Sequence, residues 1–355
     1  MRLARQGITV PRFESAEAVV RWLGAVQSQE YDVARWSLGQ RAIGESDASV
    51  EHALAEGRIL RTHVMRPTWH FVSPEDIRWM VELSGPRIRR AMAYYDRQLD
   101  LDAKTLARCH KAIVTALADA GSMTRAQAGA ALSAAGIEAS GQRLGHILMH
   151  AELACLVCSG PRKGKQQTYA LFDQRVPGSP SLPRDEALAE LTRRFFTGHG
   201  PASAKDFSVW ANLTLSDVRR GLEMLGPEVD SFAAGGFTLH LIDKTPLPAQ
   251  DPPRGHLIQG YDEYIMGYYE TKAVFGYGSF GSVLDGGRTL THALLIDGRV
   301  VGHWRRNQAP RALAIDLQLY RRLDGTEIQA VEAAIERYGE FVGLPASLGA
   351  IQTPE

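Results

Sequence analysis

Nowhere in these 355 residues does an apolar run approach the ~18 residues that a membrane-spanning helix needs. The start, Met1-Arg-Leu-Ala-Arg-Gln6, has none of the apolar core of a signal peptide. No membrane partner is expected, and the cytoplasm is the expected compartment. Cysteine is also sparse: Cys109, Cys155 and Cys158 are too few and too odd for a disulfide framework, which agrees with a reducing environment. Cys155-Leu-Val-Cys158 has the spacing of half a zinc site, but no second pair completes four ligands, and the segment reads as a strand, in which residues three apart face opposite ways. There is no phosphate-binding loop, no His-Glu-x-x-His and no Gly-x-Ser-x-Gly. Gly276-Tyr-Gly278-Ser-Phe-Gly281 fits a dinucleotide fingerprint in letters only, because no βαβ context surrounds it, and it reads as a loop. Neither a metal nor a cofactor is expected, which leaves an enzyme acting on a small molecule without support.

Net charge is the next absence, since 40 Lys and Arg balance 40 Asp and Glu. The balance is uneven along the chain. From Arg58 to Arg97 eight Arg face four acids, from Arg299 to Arg322 six Arg face Asp316 alone, and acids gather from Asp324 onward. Separated charge can give a neutral molecule one basic face, which is all that phosphate binding needs. A solvated surface, or a coding bias towards Arg, accounts for the same counts.

What is present begins with a 45% hydrophobic composition, enough to bury a large core shared by two or three compact units. Apolar spacing and caps predict helices over 15–26, 32–41 and 49–56, the last ended by Gly57. Two strands, 58–65 and 68–72, follow around Pro67. The order recurs with helices over 102–120, 124–135 and 140–153, then strands over 154–159 and 167–172 flanking the basic turn Gly160-Pro-Arg-Lys-Gly-Lys165. Arg162, Lys163 and Lys165 at that tip could reach a phosphate or merely be solvated. After the linker Val176–Pro183, a third set spans 184–196, 203–212 and 214–225, with strands over 229–232 and 236–242. The rest is β-rich (256–258, 290–296, 300–305, 312–317) with a hairpin turn at Asp297-Gly298, and a helix over 326–341 closes the chain. The expected class is α+β: three tandem winged helix-turn-helix units over 1–100, 101–176 and 184–243, then a β-rich C-terminal part over 254–355 with a closing helix.

The stretch Leu23-Gly-Ala-Val-Gln27-Ser28-Gln29-Glu-Tyr31 places two carboxamides where a helical pattern breaks. Carboxamides donate and accept hydrogen bonds but hardly titrate, so the pair can position a water or grip a base edge, or simply finish a helix. Arg66-Pro-Thr-Trp69-His70 lies close to Arg61, and His70 is either a satisfied strand residue or a donor to phosphate or base. In Tyr261-Asp262-Glu263-Tyr264, strand alternation keeps both carboxylates from facing one substrate, which argues against paired acid and base work; the tyrosines either stack on a base or pack inside.

Taken together, Leu-Gly-Ala-Val-Gln-Ser-Gln-Glu-Tyr, Arg66-Pro-Thr-Trp-His70-Phe and Gly260-Tyr-Asp-Glu-Tyr264 resemble the AlkZ-like (AlkZ/YcaQ) DNA glycosylases, over about residues 5 to 345. The resemblance implies tandem winged helices, a double-stranded DNA partner carrying alkylated bases, Gln27 and Gln29 as the catalytic Gln-x-Gln motif, and DNA or substrate contacts from Arg61, Arg66, Trp69, His70, Arg162, Lys163, Lys165, Asp262 and Tyr264. Ser28 departs from the family's usual aliphatic middle residue, which bears on substrate range. The implied protein is a monomer associated with the nucleoid, excising bases for repair and in reach of interstrand crosslinks. The competing class is a non-catalytic winged-helix regulator, although three units in tandem suit a clamp better than a dimeric reader of palindromes.

Overall fold

The computed structural model describes residues 1–9, 11–242, 254–272 and 292–353; the loop expected at Gly276–Gly281 and the first residues of the strand expected from Leu290 lie outside them. After a short helix α1 (Arg2–Arg5) come α2 (Ala16–Leu23), α3 (Tyr31–Gly39) and α4 (Asp47–Glu56). Ser15 caps α2 by accepting from the Ala18 N–H, and Ser46 forms a capping box with Ser49 at α4. The first of these helices stops three residues earlier than its apolar spacing predicts, because Gly24, at φ +80°, takes the chain out of it. The residues released form β1 (Val26–Gln27), which joins β2 (Leu60–His63) and β3 (Trp69–Val72) in an antiparallel sheet of order β1-β3-β2. Gln27 therefore stands on a strand, opposite His70, and not at a helix end.

The next element, α5 (Ile77–Gln98), is a 22-residue helix that sequence patterning leaves unassigned, since Gly85 and Pro86 interrupt it. Pro86 removes an N–H from the helical ladder, yet burial of Ile77, Trp79, Met80, Val81 and Ile88 outweighs the break. The helix makes a rod of about 33 Å at ~1.5 Å per residue. Its far end docks on the second unit, where Asp96 accepts from His146 Nδ1 at 2.8 Å and from His150 Nε2 at 3.0 Å.

That unit contains α6 (Ala103–Ala120), β4 (Ser122–Thr124), α7 (Arg125–Ala134), α8 (Gly141–Leu153), β5 (Val157–Lys163) and β6 (Gln166–Leu171), with sheet order β4-β6-β5. Asp102 and Thr124 cap α6 and α7 as their sequence positions predict. It has a core of its own around Ile113, Leu117, Leu132, Ile147 and Leu148. Cys155 sits in a left-handed turn at φ +51°, so the expected strand starts only at Val157. β5 also runs further than expected and leaves Gly164 and Lys165 as the tip.

A short α9 (Phe172–Arg175) leads to α10 (Arg184–Gly198), α11 (Ala204–Trp210) and α12 (Leu215–Leu225), the last two capped by Ser203 and Thr214, and to the hairpin β7 (Asp230–Ala234) and β8 (Phe237–Leu241). The C-terminal part holds β9 (Gly255–Ile258), α13 (Glu263–Met266), β10 (His292–Ile296), β11 (Arg299–Ala309), β12 (Ala312–Leu319), α14 (Gly325–Val342) and β13 (Ala346–Gln352). The five strands run in the order β13-β12-β11-β10-β9, with β13 parallel to β12. The expected closing helix is thus followed by a strand. Tyr261–Tyr264 is not a strand either: Asp262 caps α13. No helix among the described residues is long and apolar enough to cross a membrane.

Apart from the second unit's core, the larger clusters cross the chain. One packs Leu60, Val72 and Trp79 with Phe195, Phe207 and Trp210 and with Tyr264 and Leu295. Another packs α2, α3 and α4 against the C-terminal sheet and α14. Burying these faces together is what brings residue 27 beside residue 263.

Candidate active site

Gln27 is held from three sides. Its N–H donates to Glu263 Oε1 at 2.9 Å, and its carbonyl accepts from Gln259 Nε2 at 3.4 Å. Its side-chain Oε1 accepts from an Arg66 terminal nitrogen at 2.8 Å. The Ser28 N–H donates to the Trp69 carbonyl at 2.8 Å, which extends the pairing of β1 and β3 by one residue. Gln29 follows one residue later, in the bend that leaves the strand. Gln27 is almost covered whereas Gln29 is exposed.

Beneath Gln27 lies a buried polar group drawn from three regions. Glu263 Oε2 accepts from Trp210 Nε1 at 2.6 Å and from His199 Nε2 at 3.3 Å, and the His199 ring stacks on Phe195 with centroids 4.8 Å apart. Glu263 is fully buried, and a buried charge needs partners of this kind. Nothing in Tyr-Asp-Glu-Tyr marks Glu263 as different from Asp262, and only the α13 turn separates their roles. Glu263, His199 and Trp210 escape a reading of the sequence for that reason.

Arg66 and His70 also belong to the support. One Arg66 nitrogen donates to the Trp210 carbonyl, and the other lies 3.0 Å from His70 Nε2. His70 Nδ1 donates to the Thr68 carbonyl at 2.9 Å, so Nε2 is the accepting nitrogen and the ring is neutral. Burial, and then the Arg66 charge, push the His70 pKa well below the ordinary histidine value. Both ring nitrogens are thus engaged inside the protein, as in the satisfied strand residue that was the other expectation for His70.

Several other residues expected at the DNA also have partners inside the protein. Arg61 donates from Nε and a terminal nitrogen to the Ser28 carbonyl at 3.2 and 2.9 Å and lies 4.5 Å from the Trp69 ring centroid. Burial pulls its pKa down to about 10. Trp69 itself packs on His63, with centroids 4.5 Å apart. Arg162 pairs with Glu51 at 3.1 Å and sits over the Tyr31 ring, joining the first unit to the second. Asp262 is completely buried, its Oδ1 accepting from Arg41 at 2.6 Å and its Oδ2 from Ser37 Oγ at 2.6 Å. Tyr264 is buried and its hydroxyl donates to the Gly298 carbonyl at 2.9 Å. Of the expected DNA-facing residues, Lys163 and Lys165 remain exposed, with Lys163 Nζ donating to the Ser122 carbonyl at 2.8 Å.

Residues 20–341 match the AlkZ-like family, described as DNA glycosylase AlkZ-like. The chain belongs to the AlkZ-like DNA glycosylase family. It is 24% identical, over 324 residues and 85% of each chain, to an interstrand DNA cross-link repair glycosylase of Streptomyces sahachiroi. The solved structure of the Streptomyces sahachiroi DNA glycosylase AlkZ superposes with a TM-score of 0.77 at 21% identity, covering 98% of this chain and 97% of that one. This likeness supports the mixed α+β architecture. Within the AlkZ-like frame Ser28 is fully buried, and its Oγ has no hydrogen-bond partner among the described residues. The position is packed as an apolar one even though the residue is polar.

Proposed function

We propose that this DNA glycosylase hydrolyses the bond between deoxyribose and a cationic N7- or N3-alkylated purine in double-stranded DNA, with a water held at the Gln27 and Gln29 pair. The observation that carries this reading is the closed state of His70. The ring beside the glutamines is neutral and spent on Arg66 and Thr68, and carboxamides cannot supply a proton. A base that already carries positive charge needs none. As the C1′–N9 bond of an N7-alkylguanine breaks, its electron pair neutralises the base, which leaves uncharged; the water oxygen bonds to C1′ and its proton passes to solvent. Crosslinks joined through alkylated purines carry the same leaving group, so their unhooking falls within the proposal. The three helical sets with their antiparallel strands act as tandem winged-helix domains over 1–100, 101–176 and 184–243, gripping the duplex as a monomer.

The test is incubation with a duplex carrying one 7-methylguanine and, separately, one uracil. Release of 7-methylguanine with uracil untouched is the expected result. No release from either would leave a non-catalytic DNA-binding protein. A second reading rests on Glu30, next to Gln29, whose carboxyl pKa is raised by partial burial against the lowering effect of Arg306; release of uracil would assign it the part of general acid.

Lys163 and Lys165 are the cations at the β5–β6 tip in this reading. Changing both to alanine is expected to reduce the slope of log affinity against log salt by up to about two units, equally for all sequences. An unchanged slope in a salt titration would remove them from the interface.

A further inference from the structure

The two glutamines are not equivalent. A guanidinium only donates, so the Gln27 end that meets Arg66 at 2.8 Å must be the oxygen. Arg66 cannot turn away, because its other terminal nitrogen is held by the Trp210 carbonyl and its turn by Asn212, whose Nδ2 donates to the Met65 carbonyl at 2.9 Å. The Gln27 main chain is pinned at the same time by Glu263 and by pairing with His70. Among the described residues the Gln27 amide nitrogen meets no partner, and Gln29 meets none at either end.

The geometry points to Arg66 as a positioning residue that keeps the Gln27 carboxamide oxygen turned inward, so that Gln27 meets the DNA only as a hydrogen-bond donor and Gln29 alone accepts from the attacking water. An amide nitrogen has no acceptor capacity, since its lone pair is delocalised into the carbonyl. Gln27 therefore aims its N–H groups at an acceptor of the substrate nucleotide, a phosphate oxygen or the base's carbonyl edge. Gln29, free at both ends, is the group able to take a hydrogen bond from water while the water oxygen approaches C1′. Glu263 belongs to the same support, because it fixes the main chain from which Gln27 projects.

This division of labour rests on the glycosylase reading, and the experiment separates the two. Release of 7-methylguanine by the unmodified protein is measured first; its absence overturns the glycosylase reading and this inference with it. Given release, Gln27→Glu is the deciding variant. It keeps the length and the Arg66 contact and adds a stronger acceptor, but the ionised carboxylate has no N–H to offer. Its single-turnover rate at saturating protein is expected to fall as far as that of Gln27→Ala, about 10²-fold, whereas Gln29→Glu stays within about tenfold of the unmodified protein because the acceptor survives. A Gln27→Glu rate close to the unmodified one would overturn the inference. Arg66→Met supplies the second arm: it should slow release while leaving duplex affinity unchanged, and add no further loss in the Gln27→Ala background. Independent, multiplying losses would show that Arg66 does not act through Gln27. Should Arg66→Met fail to fold, Arg66→Lys, which keeps a donor and the charge, is put through the same cycle.

Discussion

Alanine at position 29 is expected to lower the single-turnover rate of 7-methylguanine release by about 10²-fold or more, equivalent to about 2.7 kcal/mol of transition-state stabilisation. Affinity for the same duplex should hardly change. The reason is positional: Gln29 is exposed and supports no described neighbour, so its loss costs no packing and the effect falls on the reaction alone. Gln29→Asp should retain partial activity, because a carboxylate still accepts from water and favours a cationic sugar. If Gln29→Ala and Gln27→Ala both excised at the unmodified rate, the glutamines would be structural and the proposed water site would be wrong.

The largest effect on stability is expected at Asp262. Its two oxygens take up Arg41 at 2.8 and 2.6 Å, together with Ser37 Oγ and the Tyr264 N–H, and both partners of the ion pair are fully buried. Asp262→Ala strands the guanidinium in the interior, which typically costs about 3–5 kcal/mol. The midpoint of urea unfolding should drop accordingly, and a change below about 1 kcal/mol would mean that Arg41 recruits water. Activity should fall as well, although Asp262 is fully buried, because it caps α13 and so places Glu263 under Gln27.

The helix caps show where local sequence is sufficient. Asp102, Thr124, Ser203 and Thr214 each bond an N–H three residues on, a pattern visible in letters alone, and their helices lie where it predicts them. Local rules fail where tertiary burial decides. Pro86 reads as a break, but the apolar side of α5 is worth more than the one ladder bond it removes. Val26 continues the apolar spacing of α2, but Gly24 turns it into a strand whose partner lies some forty-five residues on. The site divides the same way. Gln27, Gln29 and the Arg66 to His70 stretch stand out by composition, while the inward roles of Arg61 and Arg66 follow from contacts with Ser28, Gln27 and Trp210 that no short window of sequence contains.

The join between Gln27 and Glu263 spans 236 positions of chain. Synthesis proceeds from the N-terminus, and early units fold before later ones exist, so a ribosome-bound fragment can display both glutamines, Lys163 and Lys165 well before the carboxylate emerges. Such a fragment lacks the anchor for the main chain of Gln27. Long-range contacts of this kind also form late when a complete chain folds. The support under Gln27 is thus completed last, and an unfinished or partly unfolded copy lacks it by the topology itself.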